Sequence, residues 1–299
     1  MPPPRFLAIE PVGRCNLGCQ LCSLQFPRGM ALGSGAPLMP WEVFTRLLRA
    51  HEAVEELQLE GPGEPLLHPR FFDMVAFAVE RGLRVSVSSN CTLLARRRAR
   101  RLVASGLATL SASLDGATCS TYEAVRTGGR FLSVLRNLLL VRTVRERLGL
   151  ARPQLRIVTV AMRRNLAELP AIVRLARRLG VREMAVQHFA PRVLRSWDED
   201  PREPVRDFVR AESLLAEDPE RVRAYFSRAR QAAEECRVRL RLPELRLKEP
   251  PEGGPCRGPC GCPNDGLYID YQGLAMPCCM LGSRAGRRPR LAARALPDQ

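Results

Sequence analysis

Between residues 1 and 190 the chain alternates short apolar, β-branched runs with longer amphipathic stretches, and this alternation restricts the fold more than any other feature. A strand followed by a helix and then a second strand is a βα unit, and repeated units build a parallel sheet with helices packed on it. Strands are expected near residues 7–10, 56–59, 84–88, 109–114, 156–160 and 183–187, with helices near 41–51, 70–81, 94–105, 131–148 and 166–179. Pro40 suits a helix start, while Gly82 and Gly180 suit helix ends. The expected fold is α/β, a partial (β/α)6 TIM-type barrel, in which active sites form at the C-terminal ends of the strands.

After about residue 190 the pattern changes. Residues 191–242 read as a charged linker followed by a basic helix near 219–237, residues 243–283 as a small cysteine-rich extension, and residues 284–299 as a basic tail. That tail, with five Arg and one Asp, reads as a truncated or altered terminus. With 299 residues and 45% hydrophobic content the chain can bury a substantial core. No stretch approaches the ~20 apolar residues of a spanning helix, and Met1-Pro2-Pro3-Pro4-Arg5 lacks the apolar core of a secretory signal. A cytoplasmic location away from membranes is therefore expected, and there eleven cysteines point to metal ligation rather than to disulfides. The formal charge of +16 comes almost wholly from arginines, Lys248 being the single lysine. They are spread along the expected helices rather than gathered with aromatics into one stripe, which makes nucleic acid an unlikely partner.

The loop after the first strand reads Gly13-Arg14-Cys15-Asn16-Leu17-Gly18-Cys19-Gln20-Leu21-Cys22. Three thiols at spacings of four and three suit an iron–sulfur cluster or zinc, and three thiolates would leave one iron of a cubane unligated. A structural zinc site would want a fourth protein ligand nearby, which the sequence does not supply. Three further elements follow successive strands. Glu60-Gly61-Pro62-Gly63-Glu64-Pro65-Leu66-Leu67-His68-Pro69 closes the second, with His68 read as a turn cap. Ser88-Ser89-Asn90-Cys91-Thr92-Leu93-Leu94 closes the third, and Ser111-Ala112-Ser113-Leu114-Asp115-Gly116 the fourth, with Tyr122 and Arg126-Thr127-Gly128-Gly129-Arg130-Phe131 beyond it.

In this order, over roughly residues 6–131, the four elements resemble the radical S-adenosylmethionine (SAM) superfamily. The resemblance implies a [4Fe–4S] cluster on Cys15, Cys19 and Cys22 whose free iron takes the methionine end of SAM. It also implies that Gly61, Gly63 and Glu64 hold the methionine amino group, a carboxylate being the natural acceptor for an ammonium. Asn90 belongs to the next motif, Ser113 and Asp115 would lie near the ribose or substrate, and Arg126 near the cofactor carboxylate. Two departures stand out: Pro62 where relatives carry an N–H, and Cys91 where they carry Gly.

Toward the C-terminus, Cys256, Cys260 and Cys262 precede Gly266-Leu267-Tyr268-Ile269-Asp270-Tyr271-Gln272-Gly273, which leads on to Cys278 and Cys279. A β-hairpin turning at Gln272-Gly273 is expected, bringing Cys278 back toward Cys262. The arrangement resembles the start of SPASM and Twitch extensions. It implies one auxiliary [4Fe–4S] cluster on Cys262 and Cys278 with two of Cys256, Cys260 and Cys279, a zinc ribbon or free thiols being the alternatives. The resemblance further implies reductive cleavage of SAM to a 5′-deoxyadenosyl radical that abstracts a substrate hydrogen, fed by an external one-electron donor such as flavodoxin or ferredoxin. The substrate is expected to be a small molecule, a sugar or aminocyclitol, that is epimerised or dehydrogenated; Cys91, Cys119 and Cys236 are the candidate catalytic thiols. A maturase of a ribosomal peptide and a non-catalytic iron–sulfur electron carrier are the other readings.

Overall fold

The protein is described from a computed structural model over residues 4–22, 24, 37–188, 204–244 and 266–276. Six parallel strands, β1 (Phe6–Ile9), β2 (Glu56–Leu59), β3 (Arg84–Ser89), β4 (Thr109–Ser113), β5 (Gln154–Ala161) and β6 (Glu183–His188), lie side by side in chain order. Between them run α1 (Trp41–Ala50), α2 (Phe71–Glu80), α3 (Arg96–Ala104), α4 (Cys119–Val125), α5 (Phe131–Arg147) and α6 (Leu169–Arg178). The partial barrel expected from the alternation is present.

β2, β3 and β5 alternate buried and partly exposed residues, while β1 and β4 bury successive positions. Leu7, Ile9, Leu57, Leu59, Val85 and Val87 are all fully buried and form one core with Phe44, Leu47, Met74 and Leu102 from the helices. Burying each such side chain contributes about 1.5–3 kcal/mol, so this single face carries most of the stabilisation. The intervening residues, among them Gln58, Ser88, Ser111, Ser113 and Arg156, point to the opposite face, which is polar.

Three features go beyond the expectation. A short helix, α4, stands where only loop residues were anticipated; Thr118 caps it by accepting from the Thr121 N–H at 3.2 Å. The segment expected to be a linker contains α7 (Pro204–Glu212), ahead of the expected basic helix, α8 (Pro219–Cys236), whose Asp218 cap and Pro219 start are the usual entry signals. The sheet is also wider than six strands. β7 (Arg239–Arg241) joins beyond β6, while β8 (Gly266–Ile269) pairs with β1 in parallel and turns into β9 (Ala275–Met276), giving the order β7-β6-β5-β4-β3-β2-β1-β8-β9. The hairpin is thus not an appendage but the far edge of the main sheet. Its turn falls where the sequence places it, with Gly273 at φ +83° and the Asp270 Oδ1 accepting from the Gln272 and Leu274 N–H groups at 2.9 Å each. No helix among the described residues is long and apolar enough to cross a membrane.

Candidate functional site

Parallel strands deliver all their C-terminal ends to one edge, and the loops after β1 to β4 meet there. Cys15, Cys19 and Cys22 occupy the loop after β1 as free thiols, Cys19 buried and the other two half-buried. Five contacts hold this loop. The Gly18 N–H donates to the Thr127 carbonyl at 2.9 Å, and the Glu64 N–H to the Arg14 carbonyl at 2.9 Å. Asn90 Nδ2 donates to Asn16 Oδ1 at 3.0 Å and lies 3.6 Å from Cys15 Sγ, while Asn16 Nδ2 donates to Thr92 Oγ1 at 2.9 Å. Gly63 is forced by the same packing, because a Cβ there would sit 1.8 Å from the Val12 carbonyl oxygen.

Glu64 is only 2% exposed, and three of this chain's own donors reach its carboxylate. Oε1 accepts from Leu66 N–H at 3.1 Å and Ser89 O–H at 2.8 Å, and Oε2 accepts from Asn90 N–H at 2.8 Å. Burial pushes this carboxyl up, and those donors pull it back. Glu64 therefore pins the turn after β2 to the turn after β3. His68 caps its turn as expected: Nδ1 accepts from the Arg70 N–H at 3.1 Å, so Nε2 carries the proton and donates to the Met39 carbonyl at 3.0 Å.

Asp115 is fully buried after β4. Its Oδ1 accepts from the Val160 N–H at 2.7 Å and its Oδ2 from Arg126 Nε at 2.6 Å. With both oxygens occupied, Asp115 orients Arg126. Burial works against the Arg126 charge, but Asp115 and Cys19 outweigh it and hold the guanidinium above its ordinary range. The same guanidinium opposes the burial that pushes the Cys19 thiol up. Burial also pushes Cys22 up to about 11. Ser113, the last residue of β4, is half-buried on the polar face.

None of the three candidate catalytic thiols belongs to the cysteine loop, although Cys91 directly follows Asn90, which contacts it. Cys91 is fully buried in the left-handed region at φ +59°, its Sγ donating to the Ser89 carbonyl at 3.6 Å. Cys119 is exposed at the start of α4, and Cys236 is half-buried at the end of α8. Cys256, Cys260, Cys262, Cys278 and Cys279 lie outside the described residues. His188 shares the face of Met184 and Val186, opposite to the polar one, and burial lowers its pKa. Reasoning from sequence passed over Glu10 and the side chain of Asn16. The signal for Glu10 was available, since a carboxylate closing an apolar strand is rarely buried without purpose.

The cysteine loop fits a cluster by donor chemistry: three unpaired soft ligands, a neighbouring cation in Arg126, and a buried Tyr122 hydroxyl with no hydrogen-bond partner. No three His, Cys, Asp or Glu side chains among the described residues are arranged to hold a single metal ion, so the loop is not a preformed one-ion site.

A sequence model of the radical SAM superfamily matches residues 9–175, more than half of the chain, and spans every element of this site. The chain belongs to that superfamily, whose members use a [4Fe–4S] cluster and S-adenosylmethionine. It is 31% identical over 192 residues to the tungsten-containing aldehyde ferredoxin oxidoreductase cofactor-modifying protein of Pyrococcus furiosus, covering 62% of this chain and 52% of the relative. The mycofactocin maturase MftC of Mycobacterium tuberculosis is 30% identical over 173 residues, 56% of this chain and 40% of the relative. The matches thus span about half the length of these curated relatives. In fold, the chain is similar to Streptococcus suis SuiB solved with its precursor peptide SuiA. The TM-score is 0.70 at 17% identity, over 95% of this chain and 62% of that one.

Proposed function

We propose that this protein is a radical SAM maturase, modifying a residue of a peptide or a protein-associated cofactor precursor. The observation that carries the reading is the loop of Cys15, Cys19 and Cys22 locked to the Glu64, Asn90 and Arg126 elements at one sheet edge. Relatives include a cofactor-modifying protein and a maturase, alongside an AdoMet-dependent heme synthase, and the first two favour this reading over the sugar or aminocyclitol tailoring expected from sequence. The site residues argue against a plain electron carrier, which needs no second binding pocket beside its cluster.

In this reading Cys15, Cys19 and Cys22 hold the cluster, and Gly61, Gly63, Asn90, Ser113 and Arg126 line the SAM pocket. Glu64 and Asp115 position them. Bound there, the cluster and SAM supply one-electron cleavage and the radical that takes a substrate hydrogen. The chain's own part is to orient and to exclude water: the Asp115–Arg126 pair presents a guanidinium beside Cys19, and the Glu64 latch fixes the turns around the pocket. We further assign Cys262 and Cys278, with two of Cys256, Cys260 and Cys279, to an auxiliary cluster, and an external flavodoxin or ferredoxin as electron donor.

The test is anaerobic reconstitution followed by reduction with dithionite in the presence of SAM. The wild-type chain should form 5′-deoxyadenosine, and the triple variant with Cys15, Cys19 and Cys22 changed to Ala should form none. Cleavage that persists in the triple variant would overturn the assignment.

A further inference from the structure

Helix α3 carries its charge at the wrong end. Five of its nine residues, Arg96, Arg97, Arg98, Arg100 and Arg101, are arginine, and none is acidic. Three of them fill the first turn, where the helix dipole already presents positive charge, and Ala95 offers no side-chain cap. Helices α5 and α6 instead place arginines in their last turns, where the dipole favours them. Arg96 with Arg100 and Arg97 with Arg101 are also like charges one turn apart, a spacing that destabilises a helix. Arg101 is steadied by Asp73 at 3.9 Å and lies over the Phe72 ring. Arg96, Arg97 and Arg100 are exposed and make no ion pair among the described residues.

This face lies beside the cysteine loop. The chain enters α3 from the turn of Asn90, Cys91 and Thr92, where Thr92 Oγ1 accepts from Asn16 Nδ2 at 2.9 Å, one residue from Cys15. Helix α5 packs alongside α3, and its Asn137 Nδ2 donates to the Cys91 carbonyl at 2.9 Å and to the Thr92 carbonyl at 3.2 Å. The exposed side of α5 adds Arg136 and the apolar Leu132 and Leu139, 67% and 43% exposed. The result is a cationic face with apolar side chains on the neighbouring helix and no exposed aromatic ring to stack a base. Such a face complements an acidic protein surface better than a nucleic acid.

Resting on the radical SAM reading above, we infer that the α3 face, through Arg96, Arg97 and Arg100, docks an acidic flavodoxin-type electron carrier next to the loop of Cys15, Cys19 and Cys22. One electron leaves the carrier's reduced flavin and is taken up by the cluster, and no atom is transferred. Carboxylates of the carrier then supply the negative charge that the first turn of α3 lacks.

Reduction of the reconstituted full chain, followed by rapid mixing and the EPR signal of the reduced cluster, tests the docking. The two reductants are a fully reduced flavodoxin of strongly negative net charge and dithionite. Changing Arg96, Arg97 and Arg100 together to Glu should slow reduction by flavodoxin at low salt roughly tenfold or more, while the dithionite rate changes little. Raising the salt should slow flavodoxin with the wild type and have little effect with the variant. Reversal puts acids where the dipole favours them, so this variant should fold. The same three residues changed to Gln should give a smaller loss of the same kind, and they serve if it does not. Arg177→Glu with Arg178→Glu, on α6 just before β6 at the opposite edge of the sheet, should leave both rates unchanged. An unchanged flavodoxin rate in the triple variant, an equal loss in the α6 variant, or equal slowing with both reductants overturns the inference. A single-stranded oligonucleotide whose binding the triple variant loses, with flavodoxin reduction unaltered, would assign the face to nucleic acid instead. A wild-type chain that forms no 5′-deoxyadenosine with dithionite and SAM would overturn the radical SAM reading on which the inference rests.

Discussion

Glu10, buried just after β1, carries a consequence for stability. Its carboxyl sits at about 8 in the folded chain against an ordinary value of 4.5. Below pH 4.5 the group is protonated in both states and costs nothing. Between about 4.5 and 8 the unfolded chain releases this proton and the folded chain keeps it, so stability falls as pH rises and levels off above the folded value. Each pH unit climbed between those two values removes ~1.36 kcal/mol, which makes the whole drop on the order of a few kcal/mol. Denaturant unfolding at pH 5 and pH 8 should show this slope in the wild type and a flatter one in Glu10→Gln, whose amide does not titrate. An equal slope in both proteins would place the cause elsewhere. The neighbouring acids differ in kind: Glu64 and Asp115 are buried but have donors on both oxygens.

Among the elements, the hairpin of β8 and β9 is the one that ties the C-terminal segment to the first cysteine loop. Tyr271 is the contact: a Cβ on Gly13 would sit 2.3 Å from its ring, two residues before Cys15. Gly13→Ala should force the ring and the hairpin away, at about 1–3 kcal/mol for an overpacked contact. Amide exchange across residues 266–276 should then accelerate while that of β3 and β4 stays slow; unchanged exchange in the hairpin would show that the ring moves freely. This contact was not legible in the sequence, because it joins residues 258 positions apart and neither has a periodic signature. The β1 to β6 strands were legible as short apolar, β-branched runs separated by amphipathic stretches, and their ends were placed within two residues or so. The short helix α4 was not, since seven residues give too few turns for a periodicity. The site elements were legible as motifs after strands. The internal hydrogen bonds of these acids were not, because the donors to Glu64 and Asp115 come from turns distant in sequence.

At the scale of the whole molecule, one sheet edge gathers the loops of β1 to β4 and the turn after β8, and β8 pairs in parallel with the strand that leads into the first cysteine loop. Two distinct roles follow for the two sets of cysteines. In the function proposed above, cofactor cleavage would rest on Cys15, Cys19 and Cys22, whereas completion of turnover would need a second electron-handling centre if the substrate is oxidised. Changing Cys262 and Cys278 together to Ala should lower bound iron from about eight to about four per chain, four for each four-iron cluster. Formation of 5′-deoxyadenosine should survive in that variant while substrate modification is lost, because β8 and its pairing with β1 remain in place. Should bound iron, cofactor cleavage and product all stay at wild-type levels, the C-terminal cysteines hold no cluster, and the extension serves the fold alone as the outer strand of the sheet.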